Sequence, residues 1–230
     1  MSRTYSQTID YLYNSRPYGQ IKYGLYRIKE LLERLGNPQK ACPVVHITGT
    51  NGKGSVAATI ATVFTLHGLK TGLNVSPHIV SFRERIQLDG HFIKEDEVVQ
   101  LLEEMQPALE EMDARGEEYS PSFFEVVTAM SFMYYREKKA DVAVVEVGLG
   151  GRFDASNVID SALVSIITSV GLDHVNILGD SEEKIAFEKS GIIKAGCPVV
   201  TGVTRPSVLG VIEETARNLN SPLCAYWRDF

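Results

Sequence analysis

Residues 44–75 read VVHITGTNGKGSVAATIATVFTLHGLKTGLNV, and this stretch decides the fold. The apolar run Val44–Ile47 predicts a buried strand. A glycine-rich turn follows, then a helix over Val56–His67 and a short strand over Leu73–Val75. Strand, turn, helix and strand within about thirty residues make a βαβ unit. The turn holds Gly49, Thr50, Asn51, Gly52, Lys53, Gly54 and Ser55. Glycines let the backbone approach phosphate oxygens, and the amides at a helix start form an anion cradle. Lys53 adds a point charge toward the outer phosphates, and the Thr50 and Ser55 hydroxyls are candidates for phosphate or metal. This is a variant of the general P-loop pattern. Ile47 stands where that pattern has its first glycine, and Gly54 stands where it has Ser or Thr. A tight turn with a solvated lysine is the structural alternative. It leaves the concentration of three glycines, a lysine and two hydroxyls at one junction unexplained.

Working outward, residues 1–40 predict a helical lead-in: Thr8–Asn14, a break near Pro17 and Gly19, then Leu25–Leu35 with one apolar face and Gly36 as its stop. Beyond the second strand, Ser76–Gly90 is a long polar connection in which Arg83 and Arg85 could meet an anion or solvent equally well. Glu95–Arg115 is amphipathic, and Pro107 is expected to kink or split it. Ser122 and Glu125 have capping-box spacing at the start of a helix running to about Lys138. Val142–Val147 reads as a central parallel strand, with Glu146 interrupting its apolar end. A carboxylate there needs a cation or donors: a metal, or Arg152 as the structural alternative. Ala162–Thr168 is the next strand, followed by Asp173–His174. Ser181 caps a helix containing Lys189, whose charge near the C-terminus would suit the helix dipole. Pro198–Gly202, Ser207–Leu219 and Leu223–Trp227 predict strand, helix and strand. Parallel strands put their following loops on one edge, so Lys53, Ser76, Glu146 and His174 are expected to converge.

The net charge of −6 argues against a nucleic-acid or anionic-membrane binder. Three scattered cysteines without metal spacing, and no membrane-length apolar run, predict a cytoplasmic protein with reduced thiols.

Thr48-Gly-Thr-Asn-Gly-Lys-Gly-Ser55 resembles the nucleotide loop of the Mur ligase superfamily. With Ser76-Pro-His78, Glu146-Val-Gly-Leu-Gly-Gly-Arg152, Asp173-His174 and Glu188-Lys-Ser-Gly-Ile-Ile-Lys194, it is similar to folylpolyglutamate synthase/dihydrofolate synthase up to about Gly202. The expected fold is one doubly wound, mostly parallel α/β domain over residues 1–230, like the Mur ligase central domain. The resemblance implies ATP and Mg2+, with folate or dihydropteroate and L-glutamate as substrates. It also implies metal ligation by Ser76, Glu146 and His174, and catalytic roles for Lys53, His174 and Lys189, the last of which matches a carbamylated lysine. Pteroate contacts are implied at Ser122, Phe123, Phe124 and Glu125 and at Phe153, Asp154 and Ala155. It further implies a second, C-terminal domain carrying much of the glutamate site. The sequence ends at Phe230, so a truncated chain is expected. Three other readings stay open: another Mur-type ligase, a P-loop phosphoryl transferase acting on another acceptor, and a non-catalytic nucleotide-binding module.

Overall fold

The computed structural model describes residues 3–16 and 22–229. Eight strands form one sheet in the order β4-β3-β2-β5-β1-β6-β7-β8. In chain order these are β1 (Val44–Thr48), β2 (Thr71–Asn74), β3 (Ile86–Leu88), β4 (His91–Phe92), β5 (Val142–Glu146), β6 (Val164–Ile167), β7 (Val199–Thr201) and β8 (Leu223–Ala225). From β2 across to β8 every pair is parallel. β3 and β4 add an antiparallel edge.

β1 and β5 are buried along their whole length. Alternate residues serve opposite faces, as a pleated strand requires. Val45, Ile47 and Val144 pack with Ala57 and Ala61 of helix α3 (Lys53–Leu66). Val44, Ala143 and Val145 join the larger core on the other face. That core is built with α1 (Tyr5–Ser15), α2 (Tyr26–Arg34), α4 (Glu95–Asp113) and α5 (Phe123–Lys138). A third core joins Ile167 and Val199 to α7 (Glu182–Ser190) and α8 (Pro206–Asn218). The short α6 (Val175–Leu178) precedes α7. The fold is therefore the expected doubly wound, mostly parallel α/β domain.

Two local expectations need correction. Of the kink or split expected at Pro107, the split does not occur: α4 runs through it. Pro107 and Glu103 are both exposed, so water can satisfy the Glu103 carbonyl that the ring leaves without its helical partner. The polar stretch after β2 also holds structure that its sequence hides: a capped turn at Phe82–Arg85 and the β3–β4 hairpin, closed by Asp89 and Gly90 in left-handed conformations. Tyr18, part of a segment that resembles the family's N-terminal region, lies outside the described residues. Among the described residues, no helix is long and apolar enough to cross a membrane.

Candidate active site at the carboxyl edge of the sheet

The first crossover runs from β1 to β2 on one side, whereas β6 lies on the other side of β1. The loops after β1 and β6 therefore part at the position where open α/β sheets bind ligands. The glycine-rich loop leans on the β6 loop. Thr50 N donates to Ser169 O at 2.8 Å, Asn51 N to Ser169 Oγ at 3.0 Å, and Thr168 Oγ1 to Asn51 O at 2.6 Å. Gly49 is what allows this approach, since a Cβ there would lie 1.9 Å from Thr168 Oγ1. Gly52 takes a left-handed turn (φ 83°) into α3, which begins at Lys53. The first-turn amides at Lys53, Gly54 and Ser55 have no acceptor within the helix and face outward from its positive end. Lys53 Nζ folds back to Gly49 O at 2.8 Å and Thr50 O at 3.2 Å. The Thr50 hydroxyl is already engaged, accepting from Gly171 N at 3.0 Å and donating to Gly171 O at 3.1 Å. Thr50 thus braces the loop against the 168–171 turn.

Glu146 ends β5 and is 4% exposed. Its Oε2 accepts from Ser76 N at 3.0 Å, and both of its oxygens lie 3.7 Å from where a Gly54 Cβ would be. The carboxylate therefore sits over the start of α3. Burial raises its pKa, while the Ser76 amide and the Lys53 charge oppose that rise. Arg152 is not its partner: that guanidinium pairs with Glu188 Oε1 at 2.6 Å and lies over the Phe153 and Phe187 rings. Phe187 is half exposed.

A cavity of about 720 Å³ opens beside the loop, and Lys53, Ser76, His174, Ser122–Glu125 and Gly148–Ala155 are among the residues that line it. Of the expected site residues it thus gathers Lys53, Ser76, Ser122, Phe123, Phe124, Glu125, Phe153, Asp154, Ala155 and His174. Glu146 is joined to it through the Ser76 amide. Gly49, Thr50, Asn51, Gly52, Gly54 and Ser55 form the adjoining loop and are not part of the cavity wall.

The two phenylalanines divide their work. Phe123 is buried in a stack on Tyr13 (centroids 5.1 Å apart) and edge-on to Phe82. Phe124 is partly exposed and lies so close to Gly148 that a Cβ there would fall 2.5 Å from its ring. Phe124 is thus the ring open to a ligand. Glu125 is committed twice: Oε2 takes the Ser122 amide at 2.7 Å in a complete capping box and pairs with the buried Arg27 Nε at 3.2 Å. Asp154 accepts from Ser156 N and Oγ and from Leu149 N, which ties it into the wall it lines.

His174 takes a left-handed conformation (φ 47°) at the start of α6, with Nε2 3.7 Å from Asp173 Oδ1. Lys189 is 3% exposed, and burial with the nearby Lys53 charge lowers its pKa to about 8. This is not the solvated lysine of a helix dipole. Among the described residues, no three His, Cys, Asp or Glu side chains gather as a metal site. A cation here would rely on one carboxylate, a hydroxyl, an imidazole and oxygens from ligand or water.

Sequence reasoning did not assign Lys22, Tyr23, Pro77, Arg85, Ile177 and Leu178 to the cavity. Arg85, for which an anion and solvent were equal expectations, is 2% exposed, donates from Nε to His78 Nδ1 at 2.7 Å and lines the cavity, so it is built into the interior and not solvated. Lys22 donates to the Glu117 and Ser120 carbonyls.

No catalogued family profile matches the chain. It is 42% identical over 223 residues to the dihydrofolate synthase/folylpolyglutamate synthase of Bacillus subtilis, covering 96% of this chain and 51% of the relative. Among solved structures it is similar to the folylpolyglutamate synthase of Thermotoga maritima, with TM-score 0.88 and 46% identity over 96% of this chain and 49% of that one. It is also similar to a folylpolyglutamate synthase–AMPPCP–folate complex, with TM-score 0.92 and 39% identity over 98% and 55% of the two chains. The chain spans about half the length of these relatives. With its phosphate loop, strand-end carboxylate and adjoining cavity in this order, the chain belongs to the folylpolyglutamate synthase/dihydrofolate synthase family.

Proposed function

We propose that this chain forms the ATP- and pteroate-binding part of a ligase that joins L-glutamate to the carboxylate of folate or dihydropteroate. The observation that carries this reading is the cavity itself, which is lined both by Lys53 of the phosphate loop and by Phe124 and the Gly148–Ala155 wall. A ligand ring held against Phe124 could then extend its carboxylate toward the phosphates. In the first step that carboxylate takes the γ-phosphoryl group and ADP leaves. In the second, the glutamate amine attacks the acyl carbon, the amide forms and phosphate departs. The chain's task is positioning and charge neutralisation. The Gly52–Ser55 amides cradle the phosphates and Lys53 offsets their outer charge. The three cysteines form no disulfide, in keeping with a reducing cytoplasm.

Ser76, Glu146 and His174 are the residues that would hold magnesium. The fit rests on Glu146, a buried carboxylate beside the loop to which a single backbone amide donates among the described residues. Bound there, the ion would supply neutralisation of the β- and γ-phosphate charge. Glu146→Ala is expected to weaken Mg-ATP binding at least tenfold, whereas Glu103→Ala on the exposed face of α4 leaves it unchanged. Equal effects in a calorimetric titration would overturn the assignment.

Lys189 is proposed to act as its carbamate. With its pKa near 8, a sizeable neutral fraction is available to attack carbon dioxide at physiological pH. The amine nitrogen bonds the carbon and releases a proton, turning a buried cation into an anion. A carbon-13 carbamate resonance is expected with labelled bicarbonate and lost in Lys189→Met. No such resonance in the presence of Mg-ATP would reject the carbamate.

The reaction class is tested by ADP release with folate and glutamate withheld in turn. Release that requires both supports ligation. Release that requires folate but ignores glutamate points to phosphoryl transfer without amide formation.

A further inference from the structure

Three buried polar side chains form a chain that starts at Asp154 in the cavity wall and continues behind it through two residues the reaction above leaves unused, Ser156 and His46. His46, in the middle of β1, is fully buried, with Nε2 2.9 Å from Ser156 Oγ. Ser156 Oγ lies 2.5 Å from Asp154 Oδ1, and the Ser156 amide donates to the same oxygen at 2.9 Å. Asp154 Oδ2 accepts from Leu149 N at 2.9 Å. With amides donating to both its oxygens, Asp154 acts as an acceptor. The single Ser156 hydroxyl proton therefore goes to Asp154, and Ser156 Oγ must accept from His46. This assigns His46 the neutral tautomer protonated on Nε2.

That tautomer is costly to keep. Nδ1 is left as a buried acceptor without a partner, worth about 1–3 kcal/mol against folding. Valine or isoleucine, which occupy Val44, Val45 and Ile47 on the same strand, would avoid this cost. What the imidazole adds is its one N–H. Thr48, two residues on and on the same strand face, also grips the wall, donating from Oγ1 to Gly150 O at 2.6 Å.

We propose that His46 and Ser156 are positioning residues for the ring end of the cavity. The His46 N–H aims the Ser156 hydroxyl at Asp154, and Asp154 fixes the Leu149 amide and with it the Gly148–Gly151 wall. This rests on the reading that the cavity takes a pteroate or folate ring. The strand that ends in the phosphate loop thereby also sets the shape of the ring pocket. Burial and the Lys194 charge, the charged group that acts on His46, lower its pKa to about 3, so it stays a neutral donor through the physiological range. Asp154 faces it only through Ser156.

The test compares folate and AMPPCP binding to the full chain and to His46→Leu, Ser156→Ala, their double variant and His46→Gln, whose amide keeps an N–H donor at similar reach. His46→Leu and Ser156→Ala should each weaken folate binding roughly tenfold, the loss of one buried hydrogen bond. The double variant should lose little more, because both break one chain. AMPPCP affinity should hold throughout, and His46→Gln should recover most of the folate affinity. Unchanged folate affinity in His46→Leu, or equal loss of both ligands, overturns the inference. Wild-type chain that binds AMPPCP but not folate overturns instead the reading beneath it. Should the variants not fold, long-range nitrogen-15 NMR of the wild type decides. Nε2 should carry the proton and Nδ1 none, at pH 5 and pH 8 alike; a proton on Nδ1 overturns the proposal.

Discussion

Gly191→Ala is expected to lower the melting temperature by roughly 6–12 °C. A Cβ at this position would lie 2.4 Å from Arg152 Cβ, 2.5 Å from Arg152 Cα and 2.9 Å from Arg152 N. No rotamer change moves backbone atoms aside, so the end of α7 would have to part from the cavity wall. The reason for glycine is close approach and not dihedral freedom, since φ is an ordinary −61°. The same seam is tight from the other side, where a Cβ on Gly151 would lie 2.8 Å from Glu188 O. Arg152 N to Glu188 O at 2.8 Å and Asn157 Nδ2 to Gly191 O at 3.0 Å help hold it shut, beside the Arg152–Glu188 ion pair. Forcing such a contact costs about 3 kcal/mol, and in a chain of this size each kcal/mol moves the midpoint by about 2–4 °C. Gly210→Ala is the control. It lies in α8 with nothing within 4 Å of its Cβ, and should raise stability by about 0.5–1 kcal/mol. A shift under 2 °C for Gly191→Ala, measured by calorimetry, would show that the seam yields.

The parts of the molecule legible in the sequence are those whose signal is local. An apolar run, three glycines and a lysine defined β1 and its loop, although α3 starts at Lys53, three residues before the expected Val56; Ser122 with Glu125 defined a cap. Of the four residues expected from topology to converge, Lys53, Ser76 and His174 line one cavity and Glu146 reaches it through the Ser76 amide, because parallel strands share a carboxyl edge. What escaped was set by distant partners. β3 and β4 are too short to show alternation, and only the pairing of β3 with β2 and of β4 with β3 makes them strands. Pro107 was expected to kink or split α4; the helix runs through it unsplit, with the freed Glu103 carbonyl on an exposed face where water can reach it. The Thr50 hydroxyl was open to phosphate or metal until the 168–171 turn, more than a hundred residues away, was seen to occupy it. Arg85 carries no local sign of burial. His46, inside an apolar strand, was read as part of the run and nothing more; its partner Ser156 lies 110 residues on.

That same histidine should make the fold labile to acid. In the unfolded chain His46 titrates near its ordinary value of 6.5, while in the folded chain its pKa is about 3. Between those values the unfolded state binds a proton that the folded state does not, so stability rises with pH across this window and falls on acidification. Above pH 6.5 the contribution is complete. Each pH unit inside the window removes up to about 1.4 kcal/mol, and crossing all of it removes on the order of 5 kcal/mol, a large share of the 5–15 kcal/mol typical of a domain. Glu146 and Asp154 have the opposite sign. Burial raises both above their ordinary carboxylate values of 4.5 and 3.8, so the folded state holds their protons more readily, and they offset part of the loss as pH falls through the raised values toward the ordinary ones. Lys189 acts with the same sign as His46 but in another window: its folded pKa of about 8 lies below the ordinary 10.5, so its gain in stability with pH falls between those values. The His46 part is isolated by difference. Urea unfolding of wild type and His46→Gln from pH 7 to pH 4 should give curves that diverge below pH 6.5, with wild type losing up to about 1.4 kcal/mol more per unit. Parallel curves over that range would mean that His46 can take up a proton in the folded chain, and that the interior around Ser156 opens far enough to solvate it.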